Sequence, residues 1–185
     1  MNKLKDELDP ENQHPLILLA KNLSSNDSEV VADVSLYCLS PQKYFDNIDE
    51  DIRECCSIES PNDIRPAQVL VTALHKNAHL VIADNRSEPI EVLSSLNKLS
   101  KGGLEKSNLY LALEEFFAKA PYGFGSYLNG VTHSPTTFDC AKSVGLQLLA
   151  IDDDSDAILL FFCRESEKEK IVSLSKEAKI NLYSK

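Results

Sequence analysis

The chain has 185 residues, 43% of them apolar, which is enough for one good core and cramped for two. Nineteen Lys and Arg against 29 Asp and Glu give a formal charge of −10, the wrong sign for a nucleic-acid binder. The longest unbroken apolar run, Ala157 to Cys163, is far short of the roughly 20 residues that span a bilayer.

Residues 1–13 are polar, with Pro10 among them. Asp6, Glu7, Asp9 and Glu11 stand where a signal peptide needs an apolar stretch, so a flexible acidic leader and a cytoplasmic location are expected. Pro15 opens a helix striped by Leu16, Leu19, Ala20 and Leu23. Asp27 or Ser28 caps a second over Glu29 to Leu39. Pro41 starts a third segment, with Tyr44, Phe45, Ile48 and Ile52 at helical spacing. Ser57 to Arg65, with Pro61, Asn62 and Asp63, reads as a linker. Pro66 begins a helix with Val69, Leu70, Ala73 and Leu74 on one side, and the β-rich run Ala78 to Ala83 follows.

A helix restarts at Ser87 to Pro89 and ends at Gly102 and Gly103, and Ser107 caps the next one. Pro121 breaks the pattern and begins PYGFGSYLNGVTHSP, read as a loop. Ser134 and Pro135 are expected as N-cap and first turn of another helix, which Gly145 stops. Leu146 to Ile151 and Ala157 to Cys163, joined by Asp- and Ser-rich residues, predict a β-hairpin. The second run is apolar at every position, so it predicts a central strand covered on both faces. A helix over Glu165 to Ala178 and a short strand from Ile180 to Tyr183 close the chain. That last strand–helix–strand unit can be a crossover.

The fold class is thus α/β in the α+β sense: a small mixed sheet of about four strands with a C-terminal hairpin, packed by several helices. Residues 14–185 form a single domain, with a helical part over 14–56 and a sheet-containing part over 66–185. Two segments carry a family resemblance. One is HLVIAD followed by EPIEVLSSLNKLS; the other is G-x-x-L-x-x-I-D-D-D-S-D-A-I-L-L-F with a charged helix after it. Together, over roughly residues 66–183, they resemble small uncharacterised bacterial proteins known only as a domain of unknown function. In that group the strand-ending Asp is usually followed by Trp, where this chain has Asn85 after Asp84. An aromatic near the start of the last hairpin strand is replaced here by Ala157 and Ile158. The resemblance implies an α/β fold and no known activity.

Five cysteines, Cys38, Cys55, Cys56, Cys140 and Cys163, are odd in number and irregular in spacing, which fits reduced thiols. Asp152, Asp154 and Asp156 alternate like the opening of a calcium loop. The sixth and twelfth positions of such a loop hold Ala157 and Cys163 instead of Gly and Glu, so it is not an EF-hand. The carboxylates either satisfy backbone donors in a hairpin turn, form a negative knob, or hold a cation loosely. Tyr122, Phe124 and Tyr127 alternate with Gly123 and Gly125, either to pack the loop on itself or to meet a partner. His133 beside Ser134 lacks a third catalytic group, and His14, His75, His79 and His133 show no metal spacing.

No cofactor and no metal are expected. The leading expectation is a non-catalytic protein-binding or regulatory module, in one form immunity-type, for a basic protein partner. Its contacts would be Tyr122, Phe124, Tyr127, Asp153, Asp154 and Asp156. The alternative is a small metal-dependent enzyme built from strand-end carboxylates, Asp84 with Asp152, Asp154 and Asp156. It fails if Asp84 and the acidic turn lie at opposite ends of the sheet.

Overall fold

Proline and carboxylate caps set most helix starts. In the computed structural model, which describes residues 14–55, 57–129, 131–152 and 156–183, helix α1 (Pro15–Leu23) opens on Pro15. Helix α2 (Ser28–Leu39) is capped by Asp27, whose carboxylate accepts the N–H groups of Glu29 and Val30. The third predicted segment splits into α3 (Pro41–Asn47) and α4 (Glu50–Cys55). Asp49 causes the break: its side chain accepts the N–H of Asp51 and restarts the helix. The expected linker contains a short 3-10 turn, Pro61–Asp63, before α5 (Pro66–Lys76).

Strand β1 (Val81–Ala83) is shorter than its apolar run. Ala78 takes a left-handed φ of 56°, and His79 N–H reaches back to Leu74 O at 2.8 Å. The C-terminal closure of α5 thus takes up the first residues of the run. Next come α6 (Pro89–Leu99), α7 (Tyr110–Phe117), α8 (Phe124–Asn129) and α9 (Thr137–Ser143). The hairpin β2 (Leu146–Asp152) and β3 (Ile158–Arg164) follows, then α10 (Lys168–Glu177) and β4 (Asn181–Tyr183).

The sheet order is β1-β3-β2-β4, and all three ladders are antiparallel, where a mixed sheet is expected from the sequence. β3 and β4 do run parallel, and α10 does cross between them. But β1 already occupies the far edge of β3, so β4 pairs with β2 instead, Leu182 against Ile151.

Strand alternation sorts the core into two layers. Leu149, Ile151, Leu159, Phe161 and Cys163 face α1, α2, α5 and α10. Leu148 and Leu160, flanked by Leu146, Ala150, Ile158 and Phe162, face α6, α7, α8 and α9. The uninterrupted apolar run of β3 is explained by this: it lies between β1 and β2 and is covered on both faces. Leu16, Leu19, Val30 and Val34 share one core with Leu149 and Phe161, so the N-terminal helices form a layer of the same core as the sheet. No helix among the described residues is long and apolar enough to cross a membrane.

Candidate functional site

The Gly-aromatic segment is not a display loop. Helix α8 starts at Phe124, and Phe124 and Tyr127 are only 1% and 6% exposed, in the core with Phe117. Tyr122 alone of the three stands out, at 57%. The two glycines permit a close approach. A Cβ on Gly123 would lie 2.2 Å from the Asn85 carbonyl oxygen, and one on Gly125 2.1 Å from Asn85 Oδ1. Phe124 N–H donates to Ser87 O at 2.8 Å, so α8 is clamped to the turn after β1. Of the two alternatives for these aromatics, packing inward or meeting a partner, Phe124 and Tyr127 take the first, but on a helix that begins one residue after Gly123 rather than in a loop.

The predicted cap is displaced too. The Ser134–Pro135 peptide is cis, and α9 begins after Thr136. Thr136 closes a capping box with Asp139: its Oγ1 accepts the Asp139 N–H at 3.1 Å, and its N–H and hydroxyl donate to Asp139 Oδ2 at 3.0 and 2.7 Å. These bonds, the hydroxyl foremost, hold the Asp139 carboxyl below the usual carboxylate range. Ser134 has Thr137 at the equivalent third position and cannot form this box.

Of the acidic turn, Asp153 and Asp154 lie outside the described residues, and Asp156 is exposed. Asp152 ends β2 and accepts the Tyr183 hydroxyl at 2.7 Å. Asp84 lies at the same end of the sheet, because Ala83 pairs with Ile158 just past the turn. The opposite-ends condition that would end the enzyme reading is therefore not met. Yet β3 intervenes between β1 and β2, and the Asp84 carboxylate accepts the Arg86 N–H in a local turn. No group of three or more His, Cys, Asp or Glu among the described residues could hold a metal. The histidines are spread over local roles: His14 lies 3.4 Å from Cys38 Sγ, and His79 Nε2 lies 3.1 Å from the α2 cap Asp27. Cys38, Cys140 and Cys163 are free thiols, and burial pushes Cys38 and Cys163 up to about 11, away from the reactive thiolate. The side chains of Cys55 and Cys56 lie outside the described residues.

The structure brings together a different set of residues. Between α2, α3, α4 and α5 lies a groove of about 480 Å³ walled by Leu36, Tyr44, Ile48, Ile52, Ile64 and Val69. Ile52 remains 40% exposed within it. Burial, helped by the Asp33 charge, pushes the Tyr44 hydroxyl up to about 12, so it stays neutral in the wall. Asp33 and Asp49 stand on the rim, and Lys76 reaches Asp33 at 3.5 Å. Residues 27–54, which build α2 to α4, hold eight carboxylates against Lys43 and Arg53, a net −6 of the chain's −10. Arg53 is committed elsewhere, its guanidinium 5.1 Å from the Phe45 ring centre. The sequence reading placed the negative surface in the turn at 152–156. A count of charge by segment points instead to α2–α4.

On the other side of the sheet a second cavity, of about 440 Å³, opens between α8, α9 and the sheet. Phe124, Leu128, Phe138 and Leu148 form its apolar walls, and Tyr127 and His133 also line it. The His133 ring stacks on Phe116, with centroids 5.0 Å apart and planes within 4°.

A family model described as Domain of unknown function (DUF6630) matches residues 15–185, and so takes in the N-terminal helices as well as the 66–183 stretch. No curated protein and no solved structure matches the chain.

Proposed function

The chain belongs to this family of unknown function, and from that premise we propose that it is a non-catalytic binding module, regulatory or immunity-type, for a protein partner with a basic, amphipathic segment. One observation carries the reading. The helices with most of the net negative charge also wall an apolar groove. Apolar walls supply affinity when a partner's side chains are desolvated against them. Carboxylates on the rim steer encounter and select the sign of the partner. Tyr122 is an accessible aromatic and Asp156 an exposed carboxylate, but both lie far along the chain from the groove's own residues.

A defined probe tests this: an amphipathic helical peptide of Lys and Leu, against its Glu and Leu counterpart. The basic peptide is expected to bind, and its affinity to fall steeply with salt. Asp46→Lys with Asp49→Lys should slow its association, while Ile52→Ser should mainly speed its dissociation. If both peptides bind equally, or neither set of substitutions changes the basic peptide's binding, the proposal fails.

A second reading, the metal-dependent enzyme, retains one supporting observation, the shared sheet end of Asp84 and Asp152. Calorimetry of Mg²⁺ or Ca²⁺ against wild type and Asp84→Asn decides it, since a site there would lose its heat in the variant.

A further inference from the structure

The acidic groove already holds a cation. Lys76 Nζ lies 3.5 Å from Asp33 Oδ2, and both residues line the groove. Val69, Thr72 and Lys76 stand three and four residues apart on α5, so one face of that helix lines the groove and Lys76 is its last member. Asp33 and Leu36, three apart on α2, belong to another wall. The ion pair therefore joins two walls of the groove at its rim.

The pair is loosely held. The two side chains keep 63% and 37% of their surface exposed, and ion pairs so open to water contribute little to stability. Lys76 loses little by letting go. It stands in the last turn of α5, where the helix dipole and water both favour an ammonium. Asp33 is placed differently, among the apolar side chains of Leu36, Ile48 and Val69. Burial and then the Asp33 charge raise the Tyr44 hydroxyl, which sets the carboxylate near that wall. A segment laid in the groove takes Asp33 further out of water, and a carboxylate out of water needs a cation beside it. The surrounding helices supply none: Arg53 is engaged with Phe45, and Lys43 is exposed on α3 away from the lining. Asp49, the other rim carboxylate, accepts the Asp51 N–H.

We propose that Asp33 is the residue that reads the partner's basic side chain, and that Lys76 is its internal stand-in in the free protein. An incoming lysine or arginine takes the position of the Lys76 ammonium, and Lys76 swings into water. This exchange sets specificity. A neutral apolar segment has to bury the standing pair, whose lysine then loses its water. A basic segment replaces an exposed pair with a desolvated one and leaves Lys76 solvated. The inference rests on the reading of the groove as the site of a basic partner, and it names the residue that selects the partner's charge.

The test is a titration of the full chain with the helical peptide of Lys and Leu, in wild type, Lys76→Gln and Lys43→Gln. Each variant removes one positive charge, so the general attraction for the peptide rises in both. Only Lys76→Gln frees Asp33. It should tighten binding by about threefold to fivefold more than Lys43→Gln, the equivalent of one modest ion pair. Asp33→Asn alone should weaken the peptide. In the Asp33→Asn background the two lysine variants should bind alike, because no carboxylate is left to compete for. Equal tightening by the two lysine variants, or an excess for Lys76→Gln that survives Asp33→Asn, would overturn the stand-in. If wild type still bound the basic peptide in preference to its Glu and Leu counterpart, the reading of the groove would stand without it. A peptide that binds neither wild type nor Lys76→Gln would overturn both.

Discussion

The two faces of the sheet are built differently. The face under α1, α2, α5 and α10 is mostly aliphatic, and Phe161 is its one fully buried aromatic among the described residues. The face under α6 to α9 buries Tyr110, Phe117, Phe124 and Tyr127. On the first, the one buried polar side-chain atom without a hydrogen-bond partner among the described residues is Arg53 Nε, at the outer helices, and the distinctive chemistry is on the surface, as carboxylates around an apolar groove. On the second, the cavity lining holds Lys142 and Lys168 against Asp139 and Glu165, and two buried polar atoms, Tyr127 Oη and His133 Nε2, have no partner among the described residues. Aliphatic side chains fill space without polar edges. Tyrosine and histidine each bring a polar atom that needs a partner. The aromatic layer therefore brings a tyrosine hydroxyl and an imidazole under the sheet, whereas the aliphatic layer keeps its tyrosines, Tyr37 and Tyr44, only partly buried at its edge.

The comparison can be broken most directly at one buried aromatic ring on each face, Phe161 of β3 and Phe124 of α8. Phe161→Ala should destabilise the protein by about 3–5 kcal/mol, from lost transfer energy and a cavity. Phe124→Ala should cost about as much on the other face. Denaturant unfolding of both variants measures it, and a loss well under 1 kcal/mol for either would mean that its layer is not a tightly packed core.

A smaller effect is expected at the clamp between α8 and the turn after β1. Gly123→Ala would place a Cβ 2.2 Å from the Asn85 carbonyl oxygen and 2.6 Å from Arg86 Cα, which are backbone atoms. Separating them should cost about 1–3 kcal/mol. Faster amide exchange at Phe124 is the local sign, because its bond to Ser87 O would open. Unchanged stability and unchanged exchange would show that the approach is not tight.

The helix caps offer a weaker probe of each face. Thr136→Ala removes the α9 capping box and should cost about 1 kcal/mol. Both cap carboxyls are lowered in the folded protein: Asp139 by Thr136, and Asp27 first by His79 and then by the Val30 N–H. A lowered carboxyl adds stability that is fully present above its unfolded value of 3.8 and is lost as pH falls through the lower folded value. Acid titration of stability below pH 3.8 should therefore be shallower in Asp139→Asn and in Asp27→Asn than in wild type. A variant with the wild-type slope would show that its carboxyl is not engaged.

The smallest change separates the groove from the buried aromatic layer. Ile52→Ser, at a half-exposed wall of the groove, should shift stability by less than about 1 kcal/mol. Tyr127→Phe, under the other face, should raise it, because it removes a buried hydroxyl that has no partner among the described residues. If Ile52→Ser were strongly destabilising, the groove would be part of the core rather than a surface for a partner.

Local chemistry was readable from the sequence wherever a few neighbouring residues decide the outcome. Pro15, Pro41 and Pro66 start helices, Asp27 caps α2, and the alternating and continuous apolar runs give the hairpin and its central strand. These follow from backbone hydrogen bonding and from burial on one or two faces, which act over a few residues. The net charge was legible too, and its concentration in residues 27–54 could have been found by counting along the chain. Tertiary structure alone decided where β4 pairs, because that depends on which sheet edge is left open. It also decided that Gly123 and Gly125 serve a contact with Asn85, some 40 residues away in sequence, which a reading of the segment as a self-contained loop does not foresee. The groove and the cavity belong to the same class. Their walls come from helices distant in the chain, and an orphaned hydroxyl is defined by everything packed around it, which no local pattern encodes.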